Sequence, residues 1–194
     1  MKKAFCSILF FLSSFLLCLA QEGTDMPQYK NQISSNLMLP IFQSFDLSYE
    51  RIVANKWAVG LSGAIYGDRI EELDTEGSYY SRTTNFEIMP LVRFYLNGTQ
   101  KKSHFFEIFG SVSQVDEAER YVRIVNDQGY GVYTIGTETY MVGGLGTGYG
   151  YRFLFVENKL AVEAQLGLRT NFSTNFLLLN VAMVRTGIRV GYRF

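Results

Sequence analysis

The chain ends with Gly187-Ile188-Arg189-Val190-Gly191-Tyr192-Arg193-Phe194, and this stretch decides the fold. Four apolar residues alternate in it with two glycines and two arginines. Successive side chains of a β-strand point to opposite faces, so the stretch predicts a strand with one apolar and one charged face. A soluble sandwich would bury the apolar face and leave the arginines in water. A membrane barrel turns the apolar face to lipid and the charged face to the lumen.

The other end of the chain predicts export. A positive start, Met1-Lys2-Lys3, precedes the apolar segment Ala4–Leu19, and Ala20 followed by Gln21 is a plausible cleavage site. Residues 1–20 are therefore interpreted as a signal peptide, because the apolar segment is short for a bilayer span. Lipidation of Cys18 is a weaker alternative, since the bulky residues before it do not suit a lipidation motif.

Composition excludes several classes of function. Both cysteines, Cys6 and Cys18, lie in the predicted signal peptide, so the mature chain would have no disulfide, thiolate nucleophile or cysteine–metal site. Loss of Lys2 and Lys3 leaves 16 basic against 18 acidic residues, a net charge of −2. Neither nucleic-acid binding nor a cofactor is predicted. Any span of a membrane would need a closed barrel, because unpaired strand edges cannot lie in lipid.

Alternating segments and turn residues divide the remaining chain. Residues 21–30 form a polar segment, predicted to be a flexible periplasmic lead-in. The predicted strands are Asn31–Leu39, Gln43–Val53, Trp57–Tyr66, Thr84–Leu96, His104–Val115, Thr137–Phe153, Leu160–Thr170 and Phe176–Phe194.

The connections between these strands differ in length. Those near residues 54–56, 97–102 and 157–159 are short, whereas Gly67–Arg82 and Asp116–Gly136 are predicted to be long loops. Short turns at one end and long loops at the other, with an even strand number, are typical of bacterial barrels. We predict an all-β fold: an eight-stranded antiparallel up-and-down transmembrane β-barrel over residues 31–194, with both termini periplasmic.

The polar faces of these strands carry charges of both signs. An eight-stranded barrel is only wide enough inside for side chains, so the charges would have to pair. We expect Arg169 and Arg189 to pair with carboxylates such as Glu163 and Glu50, and the alternate glycines of 144–150 to make room for long Arg and Tyr side chains opposite. The complete predicted lumen network is Asp46, Glu50, Glu87, Glu107, Glu163, Arg93, Arg152, Arg169, Arg189 and Arg193.

Two features carry a family resemblance. The terminal Tyr192 and Phe194 resemble the C-terminal signature of Gram-negative outer-membrane barrels, which the assembly machinery reads. The segments Phe45–Arg51 and Trp57–Leu61 resemble the opening hairpin of an uncharacterised branch of the small eight-stranded barrels, typified by the transmembrane domain of outer membrane protein A. The resemblance covers Asn31–Phe194 and transfers no site residue.

This resemblance implies a location and a set of partners. We expect an outer-membrane protein in contact with lipid and lipopolysaccharide, inserted by the barrel assembly machinery through its C-terminal strand. We expect a monomer.

Three functions fit this prediction. The favoured one is a structural or surface-interaction protein with a charge-plugged lumen. A narrow channel for small or apolar solutes is the second, although a lumen filled by ion pairs should not conduct well. A lipid-modifying enzyme is the third, and it is disfavoured because the single histidine, His104, with Ser103 beside it, follows a periplasmic turn instead of lying near the outer leaflet.

The terminal aromatic generates the first testable prediction. Deleting Phe194, or replacing it with Asp, should lower the amount of protein inserted in the outer membrane, because the assembly machinery would lose its signal. The same replacement at Tyr130, which lies in a predicted loop, is the matched control. Immunoblots of outer-membrane fractions measure the yield, and equal yields for Phe194→Asp and Tyr130→Asp would contradict the prediction.

Overall fold

The computed structural model describes residues 28–67, 80–125, 128–172 and 183–194. The predicted signal peptide, most of the predicted lead-in and residues 176–182 of the predicted last strand lie outside the described residues. So do residues 68–79 of the first predicted loop. None of the helical structure in the described ranges is long and apolar enough to cross a membrane.

The described chain forms eight strands and one turn of 3-10 helix. The helix, η1 (Leu39–Phe42), connects the first two strands. The strands are β1 (Asn31–Asn36), β2 (Phe45–Ile52), β3 (Trp57–Ile65), β4 (Tyr80–Tyr95), β5 (Ser103–Val125), β6 (Gly131–Phe155), β7 (Leu160–Phe172) and β8 (Met183–Arg193). Each pairs antiparallel with its neighbour in sequence, and β8 pairs with β1 to close the barrel. The predicted fold class is thereby confirmed.

Alternation along each strand determines which side chains enter the barrel. In β2, Phe45, Leu47 and Tyr49 are exposed on the outside, whereas Asp46 and Glu50 are buried inside. The same period of two governs β7 and β8, as the pleat of a strand requires.

The two ends of the barrel differ in their connections. The turns at residues 53–56, 96–102 and 156–159 lie at the same end as the termini of the barrel, where the Asn31 and Phe194 backbones exchange hydrogen bonds of 3.0 and 2.9 Å. The other end carries η1 and the tip of the β5–β6 hairpin. We call these the short-turn end and the outer end of the barrel.

The prediction of a long loop over Asp116–Gly136 is wrong. Strand β5 continues to Val125 and β6 begins at Gly131, and their pairing extends to Val125 opposite Gly131. The first predicted loop is also too long, because β4 begins at Tyr80 and pairs with β5 from there. A hairpin in water satisfies its backbone by cross-strand hydrogen bonds without needing an apolar face, so a polar sequence does not exclude a strand.

The first strand is shorter than predicted. It ends at Asn36 instead of Leu39, because the chain turns there into η1. Pro40 lies in the first turn of η1, where its missing N–H is not needed. At Gln43 the backbone is left-handed, with φ of 54°, and its N–H donates to the Pro40 carbonyl before β2 begins.

This topology predicts opposite accessibility for the two ends of the barrel. A single cysteine is a clean probe because both native cysteines, Cys6 and Cys18, lie in the predicted signal peptide. We expect Gln128→Cys, at the tip of the β5–β6 hairpin, to react with a membrane-impermeant maleimide on intact cells. Its control, Lys101→Cys in a short turn, should react only after the outer membrane is permeabilised. The reverse pattern would invert the topology.

Candidate functional site: the charged lumen

The structure places all ten side chains of the predicted lumen network inside the barrel. Each is at most 5% exposed. Burying so many charges is tolerable only if they pair, because an isolated ion loses its hydration. The pairs divide into a central cluster around Arg93, a floor at the short-turn end, and a group at the outer end.

Arg93 on β4 is the centre of the network. Its Nη1 lies 2.9 Å from Glu50 Oε2 and 2.9 Å from Glu163 Oε2, and its Nε lies 2.6 Å from Glu107 Oε2. Its Nη2 donates to Gln165 Oε1 at 3.2 Å. One guanidinium thus joins carboxylates from β2, β5 and β7 across the lumen.

The floor lies at the short-turn end. Arg152 contacts Glu50 at 3.4 Å, and its guanidinium lies 3.9 Å from the centre of the Tyr95 ring. The Tyr95 hydroxyl donates to Glu50 at 2.9 Å. The Thr99 carbonyl accepts from Arg152 Nη2 at 2.5 Å and from Arg193 Nη2 at 3.1 Å, so the β4–β5 turn folds under the barrel and closes it.

The outer group corrects the predicted pairing. Arg189 pairs with Asp46 at 2.7 Å and Arg169 pairs with Glu87, instead of pairing with Glu163 and Glu50. Arg189 does lie directly opposite Glu163 in the β7–β8 register. The Glu163 carboxylate, however, accepts from Arg93 and from Gln32 Nε2 at 2.8 Å, because long side chains reach across a narrow lumen as easily as to the adjacent strand.

Sequence reasoning missed several members of the network. Arg185 pairs with Glu107, and its position continues the alternation of Arg189, Gly191 and Arg193 by two steps towards the outer end of β8. That extension of the terminal pattern could have identified it. Tyr95 follows Arg93 by two residues on β4, so the alternation of that strand placed it on the inward face as well, whereas Gln32 gave no such signal.

The alternate glycines of β6 make room for phenyl rings, where longer Arg and Tyr side chains were expected. A Cβ at Gly146 would collide with the Phe109 ring, and a Cβ at Gly150 would collide with Phe105. The Arg93 guanidinium lies 4.5 Å from the centre of the Phe105 ring, and Arg185 lies 5.0 Å from that of Phe109. The missing side chains of β6 therefore allow two rings to support two arginines by cation–π contact.

Ser103 and His104 do not form a catalytic pair. They are consecutive on β5, so Ser103 is buried inside and the His104 ring contacts Tyr149 and Tyr151 on the outside. The Ser103 hydroxyl donates to the His104 carbonyl, and His104 Nδ1 lies 2.6 Å from the Tyr149 hydroxyl. Across the described ranges, no group of three or more His, Cys, Asp or Glu residues could hold a metal ion.

The exterior has the opposite character. Leu61, Ile108 and Leu168 point outward and are each more than half exposed. At the short-turn end the outward residues include aromatic pairs, among them Trp57–Phe94 and Tyr192–Phe194. An apolar outer band edged by aromatics around an ion-paired interior defines a small transmembrane β-barrel.

Comparison with known proteins places the chain in a family. Residues 8–175 match the family described as "Protein of unknown function (DUF3575)", and the chain belongs to it. Among solved structures it is similar to Ail, the attachment invasion locus protein of Yersinia pestis, with a TM-score of 0.47 and 13% sequence identity over 87% of this chain and 100% of that chain. No curated protein matches.

The ion pairs of the lumen predict a graded loss of stability. Arg189→Ala leaves Asp46 without its cation, which should lower the free energy of unfolding by about 3–5 kcal/mol. Arg93→Ala should cost more, because three carboxylates lose their shared cation. Urea unfolding in detergent micelles measures both changes, with Lys101→Ala in an exposed turn as the control. Equal midpoints for Arg93→Ala and Lys101→Ala would show that water screens the lumen.

Proposed function

We propose that this protein is an integral outer-membrane β-barrel whose plugged lumen is a rigid support and whose outer end carries a surface-interaction element. The observation that supports the first part is the combination of an apolar exterior with an ion-paired interior. Lipid would bury these outward side chains, and the outer membrane is the bilayer that barrels of this kind span.

The surface-interaction element is the outer part of the β5–β6 hairpin, residues 116–139, which we call the arm. A strand needs about 9–11 residues to cross a bilayer. Strand β5 has 23 residues and β6 has 25, so each strand is more than twice as long as a bilayer crossing requires. The base of the arm is three-stranded, since residues 80–83 of β4 pair with residues 116–119 of β5 there.

Asp116 anchors the base of the arm. It accepts hydrogen bonds from Thr139 on β6 and from Asn85 on β4, each at 2.7 Å. These two hydrogen bonds lower the pKa of Asp116. A carboxylate with a lowered pKa stabilises the fold at neutral pH, and this contribution disappears as the pH falls through the lowered value.

The two alternatives have less support. A channel requires a water path, whereas Arg93 joins three strands across the middle of the lumen and Arg152 with Arg193 closes the floor. A lipid-modifying enzyme requires a histidine near the outer leaflet with a partner, whereas His104 lies at the short-turn end with Ser103 on the other face. We therefore propose a non-enzymatic, non-conducting monomer that contacts lipopolysaccharide and enters the membrane through the assembly machinery.

An arm-shortened variant tests the surface role. Residues Glu119–Gly136 are replaced by Asn-Gly, because Ala118 lies opposite Thr137 and a two-residue turn of this type closes such a hairpin. We expect the variant to keep heat-modifiable migration and its level in the outer membrane, but cells that carry it should lose attachment and aggregation relative to wild type.

A deletion of the whole protein is the control for a purely structural role. If the deletion weakens resistance to detergents while the arm-shortened variant changes neither attachment nor aggregation, the surface role is wrong and the barrel itself is the functional part. If the protein is found in soluble fractions without heat-modifiable migration, the membrane location is wrong.

A further inference from the structure

The outer half of the lumen contains a cavity of about 250 Å³ above the central cluster. Its lining has two chemically distinct parts. The charged part includes Asp46, Glu87, Arg169, Arg185 and Arg189. The apolar part includes Met38, Leu39 and Phe42 of the η1 segment, together with Met89 and Phe109.

Residues 37–44, which contain η1 and which we call the η1 segment, take the place of a strand in this part of the barrel wall. Strand β1 ends at Asn36, opposite Arg189, and the last backbone hydrogen bond to β8 runs from Leu37 N to the Ile188 carbonyl at 2.8 Å. Closer to the outer end, and within the described residues, β8 is joined to β1 by a side-chain hydrogen bond, which Asn36 Nδ2 donates to the Thr186 carbonyl at 3.3 Å. On the other side, β1 and β2 pair as far as Ser34 opposite Ser48.

A wall of this kind is easier to displace than a strand ladder. Among the described residues, the backbone N–H groups of Ile41, Gln43 and Ser44 donate to carbonyls of the segment itself and not to a neighbouring strand. Ile41 and Phe42 on this segment are 75% and 61% exposed, which leaves apolar surface next to the cavity. The segment thus joins the charged interior to an apolar exterior.

The charged part offers donors that have no acceptor. Gln165 Nε2, Arg185 Nη2 and Arg189 Nε are buried and have no hydrogen-bond partner among the described residues. All three residues line the cavity. A buried donor without an acceptor is costly, so three of them around one cavity favour the binding of a ligand that accepts hydrogen bonds.

The charge balance points the same way. The charged side chains that line the cavity are three arginines and two carboxylates, so the lining carries one excess positive charge. Arg189 and Arg185 each retain a carboxylate partner, Asp46 and Glu107. An anion can therefore add to this group without displacing an existing pair.

We propose that this cavity binds a single-chain anionic amphiphile. Its carboxylate or phosphate head accepts from Gln165, Arg185 and Arg189, and its alkyl chain lies against Met38, Leu39 and Phe42. A cavity of 250 Å³ is slightly below the usual range of about 300–1,000 Å³ for ligand sites, so it holds the head and part of one chain. The rest of the chain leaves beneath the η1 segment towards lipid. Two alkyl chains would not fit.

The central cluster closes the inner end of this binding site. Arg93 and its three carboxylates close the lumen beneath the cavity, so a ligand enters and leaves from the outer end or the adjacent lipid. The proposal does not depend on the arm, and its failure would leave the proposed surface role unaffected.

Binding of four probes to the purified protein in phosphatidylcholine nanodiscs tests the proposal. Dodecanoate and dodecyl phosphate carry both chain and anion, dodecanol carries the chain alone, and inorganic phosphate carries the anion alone. Empty nanodiscs provide the partition background. We expect saturable binding of one or both anionic amphiphiles, and the stronger of the two identifies the head group. Saturable binding of dodecanol with equal affinity, or of inorganic phosphate with equal affinity, would overturn the proposal.

Variants locate the site. Arg185→Gln and, separately, Gln165→Met should each weaken the binding of the preferred amphiphile about tenfold, the loss expected for one hydrogen bond to a charged group. Leu39→Ser should also weaken the binding of the amphiphile, because it removes an apolar contact with the alkyl chain. Arg51→Gln, an exposed arginine outside the barrel, is the control and should not change binding. Heat-modifiable migration verifies the folding of each variant. Unchanged affinity in both Arg185→Gln and Gln165→Met, when both are folded, would contradict the proposed site.

Discussion

The contact of one arginine with three glutamates underlies the rest of this barrel. Arg93 is 2% exposed, and a guanidinium so deeply buried is tolerable only because Glu50, Glu107 and Glu163 surround it. Each carboxylate comes from a different strand, so the cluster fixes the relative positions of β2, β4, β5 and β7. The glycines of β6 belong to the same arrangement, because they admit the phenyl rings against which the arginines lie.

Sequence alternation identified the faces of the strands but not the partners of the charges. Periodicity reports on which side of a sheet a residue lies, and all ten expected charges lie inside. Partner choice depends on the reach of side chains across the lumen, which no local pattern contains. Arg189 illustrates the difference, since its cross-strand neighbour is Glu163 but its ion pair is with Asp46. The sequence also did not indicate the cavity donors that have no acceptor among the described residues, because the surroundings of Gln165 and Arg185 depend on the three-dimensional structure.

The arm was missed for a different physical reason. Strict alternation is imposed by lipid on one side and a packed lumen on the other, so it disappears where the strands leave the bilayer. The alternation in the sequence therefore indicates only the part of each strand that lies in the bilayer, and not the full length of the strand. Strand β5 shows this plainly, because its prediction ended at Val115, where the outward residues become polar, while backbone pairing continued to Val125. The η1 segment escaped prediction because an apolar sequence around Pro40 reads equally well as the end of a strand.

The floor of the lumen depends on the identity of Gly98 more than on that of Thr99, the residue whose carbonyl the arginines contact. Thr99 contributes its carbonyl to Arg152 and Arg193, and every residue type has a carbonyl. The side chain at position 99 is thus free to vary in evolution as long as it is small enough to stay enclosed. The path of the turn is what has to persist, and it relies on Gly98, whose φ of 88° favours glycine, and on the hydrogen bond of 2.7 Å from Thr99 N to the Asn55 carbonyl. A relative could therefore replace Thr99 and keep the floor closed, whereas a side chain at Gly98 would strain the turn that forms the floor.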